Sequence, residues 1–347
     1  MTASLRPVGG EPRALLALLT EWWDAPDGPL VVRTSGSTGT PKDVLLSRDA
    51  LRASALATHA RLGGPGQWLL DLPTSGVAGL QVLVRSVVAG TSPVVVAEHP
   101  DLATALAALD GDRTYASLVP TQLHRLDRDG RLGDLAALDA LLLGGAAVDP
   151  GLLARAEAVG VRVVRTYGMS ETAGGCVYDG VPLDGVSLRI ADGEVLVAGP
   201  VLFDGYGDEP RTDEWFATGD LGELVDGVLS ITGRRDDVVK VGGAKVALPA
   251  VERAVRQVPE VGDAAVVAVP DEEWGSRVVA FVVPSDAVWL DGLRPDALRD
   301  ALVDLGLARR WAPREVVLVD ALPLLPGGKV DRVGLRARAH RPDPVES

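Results

Sequence analysis

The sequence predicts an α/β protein with a large N-terminal α/β domain of mixed sheets and a β-rich subdomain. A small, mobile α+β C-terminal domain follows. Three observations predict this. Over the first half of the chain, short apolar runs alternate with amphipathic stretches, the pattern of strands and helices in a largely parallel sheet. After about Pro182 the pattern changes to short strands with tight Gly-containing turns. A charged, Gly-rich stretch, GRRDDVVKVGG (Gly233 to Gly243), then precedes a compact β/α pattern. The boundary is placed near Asp236, giving domains 1–235 and 236–347.

The elements follow in order. Apolar runs at Leu30 to Arg33, Trp68 to Asp71, Val94 to Ala97, Ala116 to Val119, Ala140 to Leu143 and Val161 to Thr166 read as strands. Helical periodicity lies between them, at Ser47 to Arg61, Gly79 to Ala89, Asp101 to Leu109 and Pro150 to Val159. The β-rich part begins with Val186 to Ile190, Glu194 to Ala198 and Val228 to Thr232. The C-terminal part contributes strands near Ala264 to Val269 and Val278 to Val283, then a helix near Pro295 to Leu305.

Composition excludes several function classes. The net charge of -14 argues against a nucleic-acid partner, because a duplex binder needs a basic face. No apolar stretch reaches the ~18 residues of a membrane span. The N-terminus (MTASLRPVGGEPR) lacks the apolar segment of a signal peptide. Cys176 is the only cysteine, so no intrachain disulfide forms and a reducing, cytoplasmic setting is expected.

The strongest local signal is TSGSTGTPK, Thr34 to Lys42. It follows an apolar strand and is expected to lead into a helix capped by Ser47. Gly36 and Gly39 let the backbone approach an anion. Thr34, Ser35, Ser37, Thr38 and Thr40 carry hydroxyl groups, and Lys42 adds positive charge. The loop suits the outer phosphates of ATP. It is not a Walker loop, because Asp43 stands where that motif has Ser or Thr. Gly144, Gly145 and Ala146 end an apolar strand and can line a pocket at the carboxyl edge of a sheet. Tyr167 offers a flat face for adenine, although taken alone it reads first as a core aromatic.

The loop and four further motifs resemble the adenylate-forming superfamily of acyl-CoA synthetases, peptide-synthetase adenylation domains and luciferases. The four are YGMSETAGG (Tyr167 to Gly175), FATGDLGEL (Phe216 to Leu224), GRRDDVVKVGGAKV (Gly233 to Val246) and PLLPGGKVDR (Pro323 to Arg332). All occur in the family order and span nearly the whole chain. The resemblance implies ATP and Mg²⁺, with coenzyme A as co-substrate. It implies that Tyr167, Gly168, Ser170, Thr172 and Gly144 to Ala146 line the adenylate site, that Glu171 coordinates Mg²⁺, that Asp220 accepts from the ribose hydroxyls, and that Arg234 contacts ribose or phosphate. Asp236 becomes the hinge. Lys329 becomes the lysine that neutralises charge at the α-phosphate, and Gly242 and Gly243 line a channel for the coenzyme A thiol.

TAGGCVYDGVPLDGV (Thr172 to Val186), LVPTQLHRL (Leu118 to Leu126) and GLQVLVRSVVAG (Gly79 to Gly90) resemble bacterial o-succinylbenzoate–CoA ligases of menaquinone biosynthesis, particularly their short actinobacterial form. Ser75, Gly76 and Thr121 are the candidate acid-pocket residues. Arg85 and Arg125 are candidates for anchoring a second carboxylate, each also readable as a structural or surface residue. Three departures stand out. Ser75 and Gly76 occupy the place of a family histidine. Asp43 replaces a glycine and would repel phosphate if it pointed inward. Only 33 residues precede Thr34, so a second copy of the chain is expected to cover apolar surface. Alternatives stay open: a CoA ligase for another aryl or acyl acid, a ligase that passes its adenylate to a carrier protein, or a catalytically impaired nucleotide-binding relative.

Overall fold

The structure is a computed structural model that describes residues 11–24, 28–34, 41–285, 293–325 and 330–340. These divide into two compact units. The first runs to Thr218 and includes Gly222–Ser230. The second holds Gly219–Leu221 and the described residues from Ile231 onward.

The first unit begins with α1 (Pro12–Asp24), β1 (Leu30–Thr34), β2 (Lys42–Leu46), α2 (Arg48–Leu62), β3 (Gln67–Leu70), α3 (Val77–Ala89) and β4 (Val94–Val95). It continues with α4 (Leu102–Ala107), β5 (Thr114–Leu118), α5 (Pro120–Arg128), β6 (Ala140–Gly144), α6 (Pro150–Ala158), β7 (Val163–Met169), β8 (Gly174–Tyr178) and β9 (Val181–Pro182). Strands β4-β3-β5-β6-β7-β8-β9 form one sheet. Its first four pairings are parallel, and β8 and β9 are antiparallel. The apolar runs are continuous because both faces are covered. Trp68, Leu70, Tyr115 and Leu142 pack with Leu19, Leu51 and Leu83 of the first three helices. Leu69, Ala116, Leu141 and Leu143 face the other way, against Leu123 and Leu152. The period of two along each strand divides one apolar run between two cores. Cys176 is buried on the first face, and burial pushes its thiol up to about 12.

The β-rich part comprises β10 (Ser187–Ala191), β11 (Glu194–Ala198), β12 (Gly205–Tyr206), β13 (Glu209–Pro210), β14 (Phe216–Val225) and β15 (Val228–Arg234). Strands β10, β11, β14 and β15 form one sheet, and β1, β2, β12 and β13 form another.

Three elements add to or differ from the sequence reading. The segment after the phosphate loop, unassigned in the sequence reading, is a strand, β2, paired antiparallel with β1; the helix follows where expected, capped by Ser47, whose side chain accepts from Ala50 N–H at 3.3 Å. Val44 and Leu46 are buried on alternate positions of β2, and this period of two decides for a strand. The run at Val94 is only two residues long before Val96–Glu98 tightens into a 3-10 turn. The stretch after Pro12 forms α1, which the sequence reading leaves unassigned. Its buried Leu15, Leu19 and Trp22 mark one helical face.

The second unit carries a hairpin, β16 (Val238–Val241) and β17 (Ala244–Ala247), followed by α7 (Leu248–Arg256), β18 (Val261–Asp271), β19 (Gly275–Pro284), α8 (Pro295–Asp304), β20 (Glu315–Leu318) and α9 (Arg332–Ala339). Strands β18, β19 and β20 form a sheet. Val251, Val255, Leu298 and Leu302 cover one face of it, and Leu335 and Ala339 the other.

One buried carboxylate ties this unit together. Glu252 Oε2 lies 2.7 Å from Arg332 Nη1 and accepts from Val266 N–H at 2.9 Å. Its Oε1 lies 2.8 Å from Arg256. Burial alone would raise this carboxyl, but the Arg332 hydrogen bond and the two arginine charges bring it below its ordinary value. The stabilisation is therefore present above the ordinary glutamate range and is lost as pH falls through the depressed value. Glu252→Gln is expected to lower protection of α7 and α9 against hydrogen exchange by about 3 kcal/mol at neutral pH. It should also flatten the acid limb of that protection, and an unchanged acid limb would show that another group carries it.

Candidate active site

Parallel pairing gathers the predicted residues of the first unit along one sheet edge. Leu118 of β5 pairs with Leu143 of β6, and Gly144 of β6 with Thr166 of β7. The segments leaving these carboxyl ends carry Thr121, then Gly145 and Ala146, then Ser170, Glu171 and Thr172. Ser75 and Gly76 leave the same edge after β3. Carboxyl edges of this kind are where open α/β sheets bind ligands.

Two of the glycines are required by packing alone. A β-carbon on Gly144 would lie 2.2 Å from Thr166 Oγ1, and one on Gly168 would lie 2.1 Å from the Gly174 carbonyl. Gly168 sits where the β7–β8 register slips, just after Tyr167. Tyr167 is partly buried and packs against the core.

Ser170–Thr172 form a single 3-10 turn. Thr172 is fully buried. Its hydroxyl accepts from Met169 N–H at 2.9 Å and lies 2.7 Å from the Gly174 carbonyl, so it is used within the turn. Ala173 follows with φ 49°. Its carbonyl accepts from Ser54 Oγ at 3.0 Å and Gln81 Nε2 at 2.6 Å. The turn leaves Glu171 partly buried, with its Oε1 accepting from the Tyr206 hydroxyl at 2.9 Å. The Lys42 ammonium lies 4.7 Å from the centroid of the same tyrosine ring. Lys42 and Glu171 are thus brought to one aromatic side chain that the sequence reading does not name. No periodicity or motif marks Tyr206, which lies in a two-residue strand.

Thr34 pairs with Lys42 across the β1–β2 ladder, so the two ends of the phosphate-loop motif lie side by side. Ser35, Gly36, Ser37, Thr38 and Gly39 lie outside the described residues. Asp43 pairs with Arg33, and its carboxylate lies 3.2 Å from Arg33 Nε. Strand alternation puts it on the face opposite Lys42.

A buried guanidinium lies on α3, packed against β3 and β8. Arg85 of α3 is 3% exposed. It stacks 4.8 Å over Trp68 and lies 3.4 Å from the Tyr178 hydroxyl, which Thr58 holds at 2.9 Å. Among the described residues no carboxylate pairs with it, and its Nε has no hydrogen-bond partner. Burial, then the charge of Arg85, push neighbouring His59 down to about 4, so that imidazole is neutral at pH 7. Arg125, the other arginine considered, is exposed on α5. Gly76 precedes α3 in an extended conformation, and a β-carbon there would make only ordinary contact, 3.7 Å from the Pro73 carbonyl.

In the second unit, Asp220 is 6% exposed and lies 3.0 Å from Arg234 Nη1. Asp236 is exposed in the 3-10 turn Arg235–Asp237. Gly242 and Gly243 form the β16–β17 turn with φ 55° and 80°, values that favour glycine. A β-carbon on Gly242 would also meet the Trp274 ring at 2.6 Å. Lys329 lies outside the described residues. Around it, Leu324 bridges Val330, and Asp331 N–H donates to the Pro323 carbonyl at 2.8 Å.

Comparison with known proteins adds the family. The model of the AMP-binding enzyme matches residues 20–207, and that of the AMP-binding enzyme C-terminal domain matches residues 250–329. The chain belongs to the AMP-binding enzyme family. Among its AMP-binding relatives is a probable 2-succinylbenzoate–CoA ligase of Mycobacterium tuberculosis. It is 42% identical, with 97% of this chain and 94% of that one covered. A 2-succinylbenzoate–CoA ligase of Listeria monocytogenes is 30% identical, covering 92% and 72%. Among solved structures, the o-succinylbenzoate CoA synthetase (MenE) from Bacillus subtilis, in complex with the acyl-adenylate intermediate OSB-AMP, superposes with a TM-score of 0.72. It is 26% identical, covering 88% and 68%. The expected α/β fold is thereby established for this AMP-binding enzyme.

The placement of Asp43 yields a prediction. Asp43→Gly is expected to change the KM for ATP by no more than about twofold, because the carboxylate lies on the face opposite Lys42 and its Arg33 partner is largely exposed. An improvement of tenfold or more would place the carboxylate against the phosphates.

Proposed function

We propose that this enzyme is an o-succinylbenzoate–CoA ligase. A carboxylate oxygen of the acid attacks the α-phosphorus of ATP, pyrophosphate leaves, and an acyl-adenylate forms. The coenzyme A sulfur then attacks the acyl carbon, AMP leaves, and the thioester forms. The mixed anhydride makes the second step favourable, because a free carboxylate is a poor acyl electrophile.

Arg85 carries the substrate reading. A buried charge with no partner is costly, and burial lowers the Arg85 pKa. A substrate with two carboxylates supplies what is missing: one is activated and the other stays ionised to meet the guanidinium. The similarity to ligases of this specificity supports the same choice.

The other roles belong to the same proposal. Lys42 and the phosphate loop hold the outer phosphates. Asp220, paired with Arg234, accepts from the ribose hydroxyls. Asp236 is the pivot, Lys329 neutralises the α-phosphate, and the Gly242–Gly243 turn lines the thiol path. Among the described residues no three metal-ligating side chains cluster. A single carboxylate, Glu171, nevertheless suits Mg²⁺, which takes its remaining oxygens from phosphate and water. When bound, the ion would neutralise phosphate charge. Homodimerisation in the cytoplasm completes the reading; Leu18 and Leu56 are exposed apolar surface for it. No helix among the described residues is long and apolar enough to cross a membrane.

The decisive experiment follows pyrophosphate release with ATP, Mg²⁺ and o-succinylbenzoate, then detects the thioester by mass after coenzyme A is added. Both products are expected. Release only with another acid would discard this substrate and keep the enzyme class. Arg85→Met should raise the KM for o-succinylbenzoate roughly 10- to 100-fold, while turnover of a monocarboxylic aryl acid changes little. Equal losses on both acids would make Arg85 a purely structural residue. Gly76→His is expected to fold normally, since the backbone and the space at position 76 accept a side chain.

A further inference from the structure

Strand pairing places Tyr206 between two chemistries. Tyr206 lies opposite Val44, and Lys42 is two residues back on the same face of β2. The ring therefore lies beside the Lys42 ammonium, at a distance where cation–π attraction operates. The hydroxyl reaches the other way and donates to Glu171 Oε1. The same segment grips the Glu171 main chain, because Phe203 N–H donates to its carbonyl at 2.9 Å. Phe203 also packs on Tyr206, with ring centroids 4.7 Å apart. One oxygen of Glu171 is fixed in this way, and the second is left for a cation.

We propose that Tyr206 is a positioning residue that orients Glu171 for the divalent cation carried by ATP and holds Lys42 beside it. The proposal rests on the reading of Lys42 and Glu171 given above. One side chain thereby prepares the metal ligand and the phosphate-binding charge together, before nucleotide arrives.

Calorimetric titration of ATP into the purified protein, with and without Mg²⁺, tests it. Tyr206→Phe keeps the ring, the Lys42 contact and the packing on Phe203, and loses only the hydroxyl. It is expected to weaken ATP binding about tenfold in the presence of Mg²⁺ and to leave metal-free binding unchanged. Tyr206→Leu should also weaken metal-free binding, by about threefold. Glu171→Gln provides the reference. It should itself abolish most of the Mg²⁺ enhancement, and adding Tyr206→Phe to it should have no further effect. If Glu171→Gln removes the enhancement while Tyr206→Phe leaves it intact, the proposal is overturned and the role of Glu171 survives. If Glu171→Gln leaves the enhancement intact, the assignment of Glu171 falls, and the positioning role of Tyr206 falls with it.

Discussion

The carbonyl of Ala173 is the contact on which the site edge depends. Two helices donate to it, through Ser54 of α2 and Gln81 of α3. It belongs to a residue held in the left-handed region, where a non-glycine residue stays only if its surroundings compel it. The strand direction reverses here from β7 to β8. The reversal puts Thr172 inside and leaves Glu171 facing Tyr206. Without those two donors the turn would have a buried carbonyl lacking partners, which is costly. The helices that build the core thus also set the angle at which the acidic side chain leaves the sheet.

The molecule handles buried charge in two opposite ways. In the second unit Glu252 is saturated: two arginines and a main-chain N–H meet its two oxygens. Such a site is fixed and gains nothing from a ligand. In the first unit Arg85 has an aromatic face and a phenol hydroxyl, and no carboxylate partner among the described residues. The first arrangement binds the unit together. The second leaves a buried guanidinium with its Nε unpartnered.

Much of the fold was legible because its signals are local. The doubly covered strands β3, β5, β6 and β7 are continuous apolar runs, and α2, α3 and α6 carry periodicity and caps. Lys42 and Glu171 were legible as members of motifs. What escaped depends on pairing between distant segments. β2 looks like the approach to a helix until β1 is laid beside it. Tyr206 is 35 residues from Glu171, in a strand too short to leave a pattern. Arg85 could be named from the chain, but its burial could not, because that follows from Trp68 and Tyr178 closing around it. Gly168, read as a ligand contact, is required first by the backbone of Gly174.

The lone cysteine has a practical consequence. Cys176 is fully buried, and its thiol ionises only near pH 12. The native protein is therefore inert towards maleimides and disulfide reagents at neutral pH. Free coenzyme A can be counted with a thiol dye in the same cuvette without poisoning the enzyme. A fluorophore pair can also be attached through cysteines introduced one on each unit, with no native site to remove first. Single-molecule energy transfer between the two dyes then tests the pivot proposed at Asp236.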